Sequence, residues 1–95
     1  MIVREGDRYF IEGALTMATV QTALAEGRQL FDGPRVQVDL SRVTEVDSSA
    51  VSLLLEWVRA ASRSDRTMRY TDLNANLKSL AVLYGVSDLL PGVGD

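Results

Sequence analysis

Val38-Asp39-Leu40-Ser41-Arg42-Val43-Thr44-Glu45-Val46-Asp47-Ser48-Ser49-Ala50-Val51 is the stretch on which the fold turns. Val36 to Leu40 alternates apolar and polar residues, the period of a half-buried strand. Ser41 to Val46 is expected to be a loop. Asp47-Ser48-Ser49 is a helix-start signature, because a short oxygen-bearing side chain can accept from the unpaired N–H groups of a first turn. Asp47 is the expected cap, and the helix is expected to run to about Arg63. A strand that passes through a short loop into an amphipathic helix is half of a strand–helix–strand unit.

Working outward completes the pattern. Ile2-Val3 and Tyr9-Phe10-Ile11 are two β-type runs around Glu5-Gly6-Asp7-Arg8, a hairpin signal. After Gly13-Ala14-Leu15, Thr16 is the expected cap of a first helix whose face carries Val20, Ala23, Leu24, Gly27 and Phe31. Asp32-Gly33-Pro34 ends it. Beyond the central helix, Ser64-Asp65-Arg66 reads as a turn and Met68 to Thr71 as a strand. Asn74 or Asn76 opens a last helix ending near Gly85, its buried face built from Leu77, Leu80, Ala81 and Tyr84. The predicted order is β-β-α-β-α-β-α. That implies an α/β fold with a small mixed sheet and parallel pairs, one face covered by helices and the other partly open. Residues 1–95 form one domain, with 91–95 expected to fray.

Composition narrows the function. The chain has 95 residues, no Cys, no His and a net charge of -3. An acidic balance does not favour nucleic acid as partner. Without Cys or His, the commonest nucleophile, acid–base group and soft metal ligands are missing. Asp39 and Asp47 are the one carboxylate pair that the predicted layout brings near each other, and a hydrogen-bonding role in the loop explains them at least as well as catalysis. No catalytic residue, metal or cofactor is expected. The start, MIVREGDRYF, has no signal-like apolar run and no segment approaches the ~20 apolar residues of a membrane span. With no basic amphipathic helix either, a cytoplasmic protein without direct membrane insertion is expected.

The central helix poses a question of its own. At 100° per residue, Val51, Leu54, Leu55 and Val58 share one side, with Ala61 at its edge, while Ser49, Leu53, Trp57 and Ala60, flanked by Ala50, form a second line. A helix apolar on both sides is normally buried on both. Either Trp57 tucks against another helix or the C-terminal tail, or the second stripe is a docking face. Trp is enriched among residues that carry binding energy. Arg42, Glu45 and Arg59 read as solvated charges or as the polar rim of such a face. At the helix start, Asp47 caps, while a hydroxyl of Ser48 or Ser49 offers a place for a partner group or a phosphate, which the N–H groups and dipole would favour.

The run Val38 to Val51 resembles the signature of STAS domains, roughly DLSxVxxxDSSG followed by an apolar helix. Gly13-Ala14-Leu15-Thr16 is similar to the approach to that family's first helix. Leu53-Leu54-Leu55, Leu80-Ala81-Val82-Leu83-Tyr84-Gly85-Val86 and Leu90-Pro91 extend the likeness to the MlaB-like STAS subunits of phospholipid-transport ABC systems in Gram-negative bacteria. The resemblance implies the STAS (anti-sigma-factor-antagonist-like) fold: a four-stranded mixed sheet with helices mainly on one face. It implies a non-enzymatic subunit that binds the cytoplasmic ABC ATPase and reaches the inner membrane through that complex. The expected partner-binding residues are Ser48, Ser49, Ala50, Leu53, Trp57, Arg42 and Glu45. Ala50 departs from the antagonists' Gly. In those antagonists the phosphorylated Ser falls on Ser49, which makes serine-switched sigma-factor regulation the alternative reading.

Overall fold

The structure, a computed structural model, describes residues 1–92. Six strands and three helices follow in the order β1 (Ile2–Glu5), β2 (Arg8–Ile11), β3 (Gly13–Leu15), α1 (Val20–Leu30), β4 (Arg35–Asp39), β5 (Val43–Val46), α2 (Ser48–Arg63), β6 (Thr67–Thr71) and α3 (Ala75–Leu83), with a 3-10 turn at Ser87–Leu89. The main sheet has the order β1-β2-β4-β6. β1 and β2 form an antiparallel hairpin, whereas β2 pairs with β4 and β4 with β6 in parallel. This is the expected four-stranded mixed sheet.

Alternation along the strands assigns its two faces. Tyr9, Ile11, Val36, Val38, Met68 and Tyr70 are buried on the side of the helices. Arg8, Gln37, Arg69 and Thr71 belong to the opposite, more open side, where Phe10 lies under the Arg42 guanidinium at 3.9 Å from its ring centre. Crossovers of one hand that step in one direction across a sheet place their helices on one face, which is why α1 and α2 lie together.

The loop expected at Ser41 to Val46 is partly strand. β5 pairs in parallel with β3 as a separate two-stranded sheet, with a register shift between Gly13 and Ala14. Strands of three and four residues carry too little periodicity to be seen in sequence. The start of α1 also differs from expectation. Thr16 is not its cap: the helix begins at Val20, and the Thr16 carbonyl accepts from the backbone N–H groups of Thr19 and Val20. Thr19 Oγ1 closes that turn, accepting from Thr16 N at 3.0 Å and donating to the Ala14 carbonyl at 2.8 Å.

α2 is the centre of the molecule. Of its first stripe, Val51, Leu54 and Ala61 are buried whereas Leu55 and Val58 are half-buried, and the Tyr70 hydroxyl of the neighbouring strand donates to the Leu54 carbonyl at 2.7 Å. The second stripe is not open. Leu53 is 4% and Trp57 2% exposed, and the Trp57 ring meets Phe31 of α1's end edge-on at 5.0 Å. Gly27 permits this: a Cβ there would lie 2.6 Å from Trp57 Nε1. Of the two readings of that stripe, burial against another helix is the one the structure shows. α3 covers the other flank through Leu77 and Ala81, while Tyr84, expected on its buried face, is exposed together with Val82 and Leu83. Tyr84 ends the helix, so its side chain no longer follows the buried stripe.

The tail is held rather than loose where it is described. The Pro91 carbonyl accepts from Tyr70 N at 2.8 Å along the outer edge of β6. A side chain at Gly92 would collide with the Tyr70 carbonyl. The remainder of the expected frayed end, residues 93–95, lies outside the described residues.

Gly27→Ala gains up to about 1 kcal/mol of helix propensity but forces a buried indole to move, at about 1–3 kcal/mol for overpacking. The expected outcome is a net loss of about 1–2 kcal/mol, read as a lower urea midpoint with unchanged slope. A midpoint at or above wild type would show that α1 and α2 do not depend on this close approach.

Candidate partner-binding face

Asp47 organises the beginning of α2. Its backbone is extended, so its carboxylate turns back over the first turn, and Oδ1 accepts from Ser49 N at 2.8 Å. Oδ2 reaches the other way and accepts from Met17 N at 2.9 Å. One side chain thus caps α2 and pins the turn that precedes α1. These two N–H groups hold its carboxyl below the ordinary value: the Met17 bond is the largest cause, partial desolvation opposes it, and Ser49 adds to the lowering.

Around this cap lies an open surface. Ser48 is exposed and Ser49 half-buried at the first turn of α2. Met17, 78% exposed, stands beside them on the pinned turn. From there a shallow groove runs between α1 and α2, lined among others by Met17, Gln21, Ser49, Ser52, Glu56 and Arg59. An exposed thioether next to two hydroxyls and a helix N-terminus gives a partner an apolar anchor, donors and a region of positive potential.

The expected site residues separate into three groups. Ser48 and Ser49 lie at this opening. Ala50, Leu53 and Trp57 lie beneath it, all less than 5% exposed. Their expected place on an uncovered docking face is corrected, because α1 occupies that side; they support α2 from below. Arg42 and Glu45 belong elsewhere along β5. Glu45 is exposed in that strand. Arg42 precedes the strand, and the five residue steps from it to Asp47 put it roughly 16 Å of extended chain from the cap. Its guanidinium is clamped by Glu5 at 2.8 and 3.2 Å and by Glu12 at 2.9 Å. The Arg42 hydrogen bond also lowers the Glu5 carboxyl. The sequence reading missed Met17, which lies on a turn that the Asp47 bond pins to the start of α2.

Asp39 and Asp47 share no hydrogen-bond partner. Asp39 is buried and accepts from Ser41 N at 2.8 Å, with Arg8 3.4 Å away. Burial raises its pKa, but hydrogen bonds from Ser41 and with Asp72 and the Arg8 charge together leave it lowered. Among the described residues no cluster of three acidic, His or Cys side chains could hold a metal ion. No helix among them is long and apolar enough to cross a membrane.

With this geometry in hand, comparison with known proteins is informative. A family profile described as "Mlab, STAS domain" matches residues 5–91. The fold is similar to that of the anti-sigma factor antagonist SpoIIAA in its unphosphorylated form, with a TM-score of 0.72 over 97% of this chain and 85% of that one, at 15% identity. It is also similar to part of Mglu, with a TM-score of 0.61 and 26% identity over 79% of this chain. The chain spans about a fifth of Mglu's length, since only 20% of that chain is covered. A search of curated proteins finds no match.

The two lowered aspartate carboxyls, Asp39 and Asp47, give the same sign of pH dependence. The folded chain binds fewer protons than the unfolded one as pH falls, so their contribution is complete above the unfolded carboxylate value of about 3.9. It is lost as acid takes the pH down through the folded values. Amide exchange at Met17 and Ser49 is therefore expected to quicken below about pH 4, relative to intrinsic rates. In Asp47→Asn, which removes the charge, it is expected to be fast already at neutral pH. Unchanged protection in that variant would remove Asp47 from its organising role.

Proposed function

The chain belongs to the STAS-domain family of the Mlab type, and from that premise we propose that it is a non-catalytic subunit which docks on the ATPase of a phospholipid-transport ABC system. STAS domains are binding and regulatory modules, and an α2 start left open beside an exposed Met17 is the observation that carries the reading to this particular face. The subunit reaches the cytoplasmic face of the inner membrane through its partner and has a part in maintaining outer-membrane lipid asymmetry.

The proposed contact has a physical order. Met17 anchors in an apolar depression of the ATPase. Ser48 donates to or accepts from a partner group at the helix start, and Ser49 lines the groove beside it. Ser52, Glu56 and Arg59 form the polar border, where charge affects encounter more than affinity. Ala50, Leu53 and Trp57 contribute by keeping α2 rigid beneath this face, so the cost of ordering it has been met before the partner arrives. Glu45 and the clamped Arg42 lie at the periphery.

The alternative is an anti-sigma-factor antagonist switched at Ser49, which the likeness to SpoIIAA over 97% of the chain supports at the level of fold. A phosphate on Ser49 would add about -1.5 to -2 charges beside the Asp47 carboxylate and oppose docking of an acidic or apolar partner.

Co-purification with the ABC ATPase encoded nearest to this chain tests the proposal. Ser48→Arg and Met17→Asp are both exposed substitutions, and each is expected to reduce retention at least about tenfold, the effect of losing a central contact. Val82→Asp, on the far helix, is expected to bind as wild type. Retention of both groove variants would sink the docking face. Capture of a kinase-like protein in place of the ATPase, with Ser49 accepting phosphate, would install the antagonist reading.

A further inference from the structure

The groove between α1 and α2 does not end at the docking face. Toward the C-terminal ends of both helices it deepens into a cleft of about 170 Å³. Its walls include Leu24, Phe31, Ala60 and Met68, with Gly27 and Trp57 between them. A dry apolar cavity of about 150 Å³ is large enough for benzene, so this space suits a body of one small ring.

Its charge is unlike that of the rest of the molecule. The lining contains Arg28, Arg63 and Arg66 against Glu56 as sole acid, in a chain whose net charge is -3. Glu56 is neutralised from two sides, by Arg63 at 3.0 Å and Arg59 at 3.9 Å. Arg66 donates to the Phe31 carbonyl at 2.6 Å. Arg28 makes no hydrogen bond or ion pair among the described residues, and it is exposed at the mouth. A second oddity is on the wall itself: Trp57 Nε1 is a buried donor without a partner. Buried donors are usually paired, and those left unpaired call for an explanation.

We propose that this cleft binds a small apolar carboxylate, a monoanion of about benzoate size. The ring occupies the apolar floor beside Trp57, and the carboxylate meets the arginines at the mouth. A guanidinium fork matches a carboxylate in shape and charge. Because Glu56 occupies Arg63 and the Phe31 carbonyl takes a donor of Arg66, Arg28 is the guanidinium of this lining left whole for a ligand, which matches one carboxylate and leaves the second charge of a phosphate monoester unmatched. The site is distinguishable from the docking face: the two share the groove's Leu24 and Glu56, but the cleft includes neither Met17 nor Ser49.

The chain's one Trp supplies the readout, because its indole N–H gives a single resonance. The ¹⁵N-labelled chain is titrated with benzoate, benzyl alcohol and phenyl phosphate. Benzoate is expected to shift the Trp57 indole signal saturably, with a Kd on the order of a millimolar for so small a ligand. Benzyl alcohol and phenyl phosphate are each expected to bind at least about tenfold more weakly. Arg28→Gln, a substitution at an exposed position, is expected to weaken benzoate about tenfold while the spectrum stays dispersed. Equal response to benzoate and benzyl alcohol would overturn the proposal. So would a non-saturating shift, an unaffected Arg28→Gln, or changes centred on Met17 and Ser49 in place of Leu24, Ala60 and Met68.

Discussion

The contact between the Trp57 indole and the bare Cα of Gly27 is the constraint from which the arrangement of this molecule follows. A Trp side chain buries about 150–250 Å², a large share of what a small core can offer. It can do so only if a neighbouring helix approaches closely enough to cover it, and Gly27 lets α1 come that near. Phe31 then closes the end of the interface edge-on, and Tyr9 packs edge-on against Phe31 in turn at 4.9 Å. With its base and flanks packed, the exposed residues of α2 are Ser48, Ser52, Arg59, Ser62 and Arg63, one line along the helix. The surface available for recognition is what helix packing leaves over.

Two polar devices set the ends of this arrangement, and they do different jobs. Asp47 joins the α2 start to the turn before α1, so the two edges of the groove keep a fixed spacing. Arg42 lies over Phe10 and reaches Glu5 and Glu12, tying the β1–β2 hairpin to the start of β5. The first leaves hydroxyls and a thioether open beside it. The second consumes its own charges. Their difference leaves one end of the molecule with open hydroxyls and a thioether, and the other with charges already paired across the open sheet face.

The main elements were legible in sequence because their periodicity is long enough to register. The Val36–Leu40 alternation, the Asp47 cap and the sixteen-residue α2 could be read directly, and the family likeness runs through the same residues. What sequence could not decide was the partner of the second stripe, since Leu53 and Trp57 look alike whether α1 or another protein covers them. The decisive residue was Gly27, a position whose meaning is the absence of a side chain and is visible only once two helices are placed. β3 and β5 were hidden for another reason. Three- and four-residue strands pair through backbone groups that any sequence carries, and this pairing is irregular, its register shifting between Gly13 and Ala14. Met17 escaped notice because its turn is defined by a hydrogen bond from a residue thirty positions away.

The tie between Pro91 and Tyr70 has a consequence for behaviour in a crowded solution. β6 is the last strand of the main sheet, and an outermost strand with idle N–H groups is a template for pairing with another chain. Proline is well chosen for such a cover, because it offers a carbonyl to the edge and has no N–H of its own to extend a ladder. Gly92 then brings the backbone flush against Tyr70, where any side chain would hold it off. The segment after α3 therefore lays backbone of the chain's own over the β6 edge at Tyr70, at a place where a second chain would otherwise pair.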